Sequence, residues 1–277
     1  MRARLLAWAK ERGIQFQYAS MLYMQEGILS RLAASVFADS LVLKGGFLIF
    51  AHAGSAGRTT KDLDFLGQGI SNDEKALAEI IAQVVCIEQG DGLSFDSESI
   101  STERITEGAD YHGVRVVVEC RLGALRNRLQ IDIGFGDAVS PAPSRFPIPG
   151  MLGRLPIVVS AYPLASVIAE KFEVMIALGS VNSRMKDFFD VAYLLENYDI
   201  PDNELLQALN ATFTQRHTEM PEYPAVFSTS FAASQPTQAL WNGFLSRSQL
   251  ATLELTSVMS KIRERLYPLY EELRSRR

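Results

Sequence analysis

Apolar residues recur at helical spacing along the first part of the chain. Leu22, Ile28, Leu29, Leu32, Ala33 and Val36 share that spacing and no proline intervenes, so Met1–Ala38 reads as one or two helices. The period then changes. Ser40-Leu-Val-Leu-Lys-Gly-Gly46 reads as a buried strand ending in two glycines, and Phe47–Ala53 as a short apolar helix. The run ending Asp62-Leu-Asp-Phe65 alternates like a second strand. Asn72–Gly90 has the amphipathic pattern of a helix laid on a sheet, with Ser71 or Asn72 as N-cap. Two further strand-like runs, Gly113–Leu122 and Arg128–Phe135, are joined by Gly123-Ala-Leu-Arg-Asn127 and read as a β-hairpin.

Prolines at 141, 143, 147 and 149 then oppose helix and inner strand, which marks a boundary. From Pro163 the pattern is almost wholly helical: Leu164–Leu178, Arg184–Tyr198, Asn203–Phe213 and a last stretch Thr237–Arg274 broken near Pro268, with Thr218–Pro236 as an extended loop. The expected architecture is an α/β domain over 1–155, a mixed sheet with flanking helices, followed by a helical domain over 156–277.

Composition narrows the classes. At 277 residues, with 47% hydrophobic and 21% charged, the chain suits two ordinary domains or one large one. No apolar run is long enough to span a bilayer, and Lys10, Glu11 and Arg12 interrupt any secretory core, so a cytoplasmic protein without membrane partners is expected. Cys86 and Cys120 belong to no metal or disulfide pattern and read as reduced, buried thiols. The three histidines, at 52, 112 and 217, stand apart from any ligand spacing. A net charge of -5 argues against bulk attraction to nucleic acid, yet Arg115, Arg121, Arg126 and Arg128 crowd one segment after the acid-rich stretch 71–110.

The chemistry concentrates in carboxylates. Asp62 and Asp64, alternate residues of one strand, project from one face about 6 to 7 Å apart. Asp132 lies between Ile131 and Ile133 and points away from both, and a charge in so apolar a strand needs a reason. If the two strands are neighbours, three carboxylates converge, and magnesium would supply the missing positive charge. Upstream, the Gly45-Gly46 turn opens a helix whose bare N–H groups suit a phosphate, with Arg58 and Lys61 near the acids. Two ions holding a nucleoside triphosphate and an attacking oxygen would make a site for phosphoryl or nucleotidyl transfer. No GxxxxGK[ST] and no GxGxxG is present, so neither a P-loop nor a dinucleotide fold has support.

Together, Lys44-Gly-Gly46, Arg58-Thr-Thr-Lys-Asp-Leu-Asp-Phe65, Ile131-Asp-Ile133, Glu170-Lys171 and Lys186-Asp-Phe-Phe-Asp190 closely resemble the AbiEii-type nucleotidyltransferases of abortive-infection and toxin–antitoxin systems. The resemblance runs in order over roughly residues 40–195. It implies a nucleotidyltransferase α/β core joined to a helical domain, with Asp62 and Asp64 as catalytic magnesium ligands and Asp132 as third acid. It further implies Gly45, Gly46 and Arg58 at the nucleotide, Lys171 on the triphosphate, and Asp187 as a catalytic acid with Asp190 on the same helix face. Phe47 stands where many relatives carry Ser or Thr.

The reading is a toxin moving NMP from NTP to an RNA hydroxyl, tRNA included, or to a protein hydroxyl, with a cognate antitoxin as partner. The alternatives are a degenerate protein that binds nucleotide or a partner without turnover, and a metal-dependent nuclease or phosphatase. The four arginines would line the groove for an RNA acceptor.

Overall fold

Helix gives way to sheet near residue 40, as the change of period requires. The computed structural model describes residues 1–54, 58, 60–107 and 111–276. Thr59, inside the aspartate-bearing run, and 108–110, at the end of the acid-rich stretch, lie outside them. Helices α1 (Arg2–Glu11) and α2 (Phe16–Ala33) lead into β1 (Leu41–Lys44), α3 (Gly45–Ala53), β2 (Asp62–Gly67) and α4 (Glu74–Val85). Strands β3 (Leu93–Glu107), β4 (Tyr111–Leu122), β5 (Leu125–Gly134), β6 (Ser144–Ile148) and β7 (Ile157–Ala161) follow. The seven strands form one mixed sheet in the order β3-β4-β5-β2-β1-β7-β6, in which β2–β5 and β1–β7 are the parallel pairs.

Alternation along β4 and β5 gives the sheet two different faces. Val114, Val116, Val118, Leu129, Ile131 and Ile133 are fully buried on the face that α2 and α4 cover. Their neighbours in sequence carry the polar groups of the other face. Most of α2 is buried, and it brings two charges inside: Glu26 accepts the Met151 N–H at 2.6 Å, and Arg31 forks onto Asp91 at 2.6 and 3.1 Å.

The chain divides into two compact units, one of Met1–Gly136 with Ser144–Tyr162 and the other of Asp137–Pro143 with Pro163–Arg277. The division follows β7, whose pairing with β1 and β6 ties 157–161 to the sheet, whereas the proline pattern suggested a break at 155. The second unit comprises α5 (Leu164–Leu178), α6 (Met185–Asn197), α7 (Asp202–Gln215), α8 (Thr229–Ala233), α9 (Gln235–Ser248) and α10 (Leu255–Ser275). Its core gathers Phe172, Phe188, Phe213, Trp241 and Tyr270.

Several elements differ from the sequence reading. Asp73, rather than Ser71 or Asn72, caps α4 by accepting the Ala76 N–H. Helix α3 starts at Gly45, before the second glycine. The 93–107 strand and the proline-bearing edge strand β6 were not anticipated, and α8 occupies part of the expected 218–236 loop. The last helical stretch breaks after Ser248, where Gln249 takes a left-handed conformation (φ 54°), while α10 runs unbroken through Pro268. Pro268 is exposed, so the backbone bond it forfeits faces water, and Leu266, Leu269, Tyr270 and Leu273 hold the buried stripe. Cys120 is buried as expected, but Cys86 is exposed.

Arg31 and Asp91 have side chains only 3% and 1% exposed. Removing one partner strands the other charge, so Asp91→Ala should cost about 3–5 kcal/mol in urea unfolding. The exposed Arg104–Glu74 pair serves as control: Arg104→Ala should stay within about 0.5 kcal/mol.

Candidate active site

The first unit assembles its acids by strand register. Asp64 on β2 pairs in parallel with Asp132 on β5, and Asp62, two residues back, shares their face. One carboxylate oxygen from each of Asp62, Asp64 and Asp132 lies within 4.8 Å of the others, and all three residues are partly exposed. The sequence expectation that these strands are neighbours holds.

Each acid has its own support. Asp62 Oδ1 accepts from Thr60 Oγ1 at 2.8 Å. Asp64 Oδ2 accepts the Gly46 N–H at 3.3 Å, so the positive end of α3 faces this carboxylate. Gly45 has φ +66°, and a Cβ there would sit 2.1 Å from Asp64 Oδ2. Both facts require glycine. At Gly46 a Cβ would meet Thr60 Oγ1 at 2.7 Å and Arg58 Nη2 at 3.2 Å, which puts Arg58 beside the turn. Phe47 points into the core, 3% exposed and packed on Phe50, and gives the site nothing polar.

Arg115 is the feature that sequence reasoning misassigned. It was grouped with an RNA groove, but its Nε and Nη2 fork onto Asp132 Oδ1 and Oδ2 at 2.9 and 3.0 Å, while Nη1 reaches Glu103 at 3.2 Å. These acids raise the Arg115 pKa, bonding to Asp132 contributing most. Gln130 Nε2 also donates to Asp132 Oδ2 at 3.0 Å. Hairpin register offered the signal. β4 and β5 join through a two-residue turn at Gly123-Ala124, which sets Arg115 opposite Asp132. The longer connection read from the sequence would have set it opposite Phe135.

The site gathers three acids, Arg115 on Asp132, Arg58 beside the glycine turn and a helix N-terminus. Oxygen-only donors suit magnesium or manganese rather than a softer metal. Asp62, Asp64 and Asp132 would hold such an ion through one carboxylate oxygen each. On the same sheet face, Arg121 pairs in register with Arg126 and Arg128 with Glu119. Arg126 forks onto Glu119 at 2.5 and 2.8 Å, so the strip is partly self-neutralised, while Arg121 and Arg128 remain exposed.

In the second unit, Lys171 on α5 meets α6. Its Nζ lies 2.5 Å from Asp187 Oδ1 and 2.9 Å from Asp190 Oδ2, and Arg184 Nε holds Asp187 Oδ2 at 2.8 Å. Two cations thus balance two carboxylates that are 1% and 0% exposed. Asp190 faces Lys171, not Lys186 as a surface pair would. Burial alone would raise the Asp187 carboxyl, but Lys171 and Arg184 together outweigh it and bring its pKa down to about 2. Nearby Glu170 lies 3.7 Å from Arg216, which Glu173 and Asp137 also hold.

Comparison with known proteins follows the same outline. The family model for the nucleotidyl transferase AbiEii toxin of type IV toxin–antitoxin systems matches residues 27–263. Among solved structures, the chain is similar to MenT4, a nucleotidyltransferase toxin from Mycobacterium tuberculosis H37Rv, at 16% identity over 99% of each chain with a TM-score of 0.51. It is also similar to JHP933 from Helicobacter pylori, at 13% identity over 94% of each chain with a TM-score of 0.50. At such identities the likeness is one of fold. No curated protein matches the sequence.

The buried cluster generates a stability prediction. Lys171→Met should cost about 3–5 kcal/mol, read by urea unfolding, because it takes from two buried carboxylates the cation that touches both. Since Asp187 falls from 3.8 in the unfolded chain to about 2, its stabilisation is present above pH 4 and lost as pH drops toward 2. In Lys171→Met that acid loss should begin at higher pH.

Proposed function

Because the chain belongs to the AbiEii family of nucleotidyl transferase toxins, and is a nucleotidyltransferase with a nucleotide substrate and an antitoxin partner, we propose that it transfers NMP from an NTP to an RNA hydroxyl, on tRNA or a similar acceptor. The observation that carries this reading is the convergence of Asp62, Asp64 and Asp132 beside the Gly45 turn.

In this reading, Asp62, Asp64 and Asp132 would hold magnesium, which would supply positive charge to the triphosphate. Gly45 admits the carboxylate of Asp64 to the start of α3, and Thr60 orients Asp62. Arg58, beside Gly46, supplies a cation for a phosphate oxygen. The acceptor oxygen forms a bond to the α-phosphorus as the bond to the β-phosphate breaks; pyrophosphate leaves, and the hydroxyl proton passes to water. Lys171, fixed by Asp187 and Asp190, serves as the nucleotide-binding lysine.

RNA is favoured over a protein acceptor by the exposed Arg121 and Arg128, which share a sheet face with the three acids. Their charges suit a phosphate backbone, with Arg126 held in reserve by Glu119.

Incubating the protein with each of four α-labelled NTPs, magnesium and total cellular RNA should label RNA from at least one NTP. Asp64→Asn should abolish labelling while leaving the melting temperature nearly unchanged; full activity in that variant would remove the metal assignment. RNA affinity should fall steeply with salt, and Arg121→Ala or Arg128→Ala should each reduce the log–log slope by about 1. Label appearing on protein with a flat salt response would overturn the RNA acceptor.

A further inference from the structure

Arg115 is the middle member of a three-strand ladder of charge: Asp132 stands opposite it on β5 and Glu103 opposite it on β3. Asp132 accepts one bond on Oδ1 and two on Oδ2, from Arg115 and Gln130. Of a carboxylate's four lone-pair directions, one remains for a metal ion. An ion bound there would stand within a few ångströms of the guanidinium, and two cations that close repel strongly. Arg115 has somewhere to go. Its Nη1 already touches Glu103, whose side chain is 63% exposed against 15% for Asp132, so Glu103 can follow the arginine outward.

We propose that Arg115 is an internal counter-cation that holds Asp132 while the site lacks metal and yields it to a divalent cation by moving onto Glu103. The Asp132–Arg115–Glu103 ladder thereby sets the metal affinity of the site. This rests on reading Asp62, Asp64 and Asp132 as a divalent-cation site. Physically, the device keeps three like charges together in the absence of metal, and it makes metal entry an exchange of one cation for another. Arg115 is a positioning residue here, since it acts on metal through Asp132.

The test is Mn²⁺ binding to the full-length protein at pH 8, followed by calorimetry and by the electron paramagnetic resonance signal of free Mn²⁺, with no nucleotide present. Arg115→Gln should bind Mn²⁺ about tenfold more tightly than the unaltered protein, because a competing charge-assisted pair is gone. Arg115→Lys, which keeps the charge but loses the fork, should fall between them, and it decides the matter if the glutamine variant does not fold. Glu103→Gln should weaken Mn²⁺ binding in the unaltered background and have no effect in the Arg115→Gln background, a coupling that a merely structural arginine would not produce. Equal or weaker Mn²⁺ affinity in both Arg115 variants, with binding still lost in Asp64→Asn, would overturn the exchange while sparing the metal site. No Mn²⁺ binding by any of these proteins would remove the metal site and the exchange with it.

Discussion

The parallel pairing of β2 with β5 is the constraint on which the site depends. It places Asp64 level with Asp132 and, through the two-residue period of a strand, brings Asp62 onto the same face. Three carboxylates so close repel one another, and the surroundings answer the repulsion with several partial remedies. Thr60 donates to Asp62, the start of α3 faces Asp64, and Arg115 forks onto Asp132. Three carboxylate oxygens within reach of one another are a donor set suited to a divalent cation. The Gly45 conformation belongs to the same constraint, because any side chain there would strike Asp64.

The second unit solves a related problem differently. Lys171 and Arg184 neutralise Asp187 and Asp190, whose carboxylates are shut off from water, so that cluster is balanced by side chains. One acidic site is partly exposed, suited to binding; the other is buried and paired, suited to holding a lysine in one place. Burial separates the two. Open carboxylates can exchange partners with solvent ions, whereas desolvated ones must carry their counter-charges with them.

Much of the element pattern was legible in residue spacing. The helix α5 has the bounds its apolar spacing gives, from Leu164 to Leu178, and the β4–β5 hairpin forms where alternating Val and Ile residues place it. What escaped has identifiable causes. Strand β3 mixes its apolar positions with Asp96, Glu98 and Glu103, which reads as an acidic solvated stretch until its pairing with β4 is known. Strand β6 carries Pro147, which an edge strand tolerates and an inner strand does not. Pro268 sits within α10 because its exposed position lets water take the bond it cannot make.

The sequence by itself determined most of the elements, the glycine turn before a helix and the period-two spacing of Asp62 and Asp64, because these follow from local backbone sterics and from which residues avoid water. Its motif resemblance also reached the family. Only the tertiary structure decided which strands lie side by side, and so which charges meet. Shifting the hairpin turn from five residues to two moves Arg115 from opposite Phe135 to opposite Asp132. Register is a long-range property: the choice between two turn lengths costs little locally, and it is the packing of the whole sheet face that selects one of them.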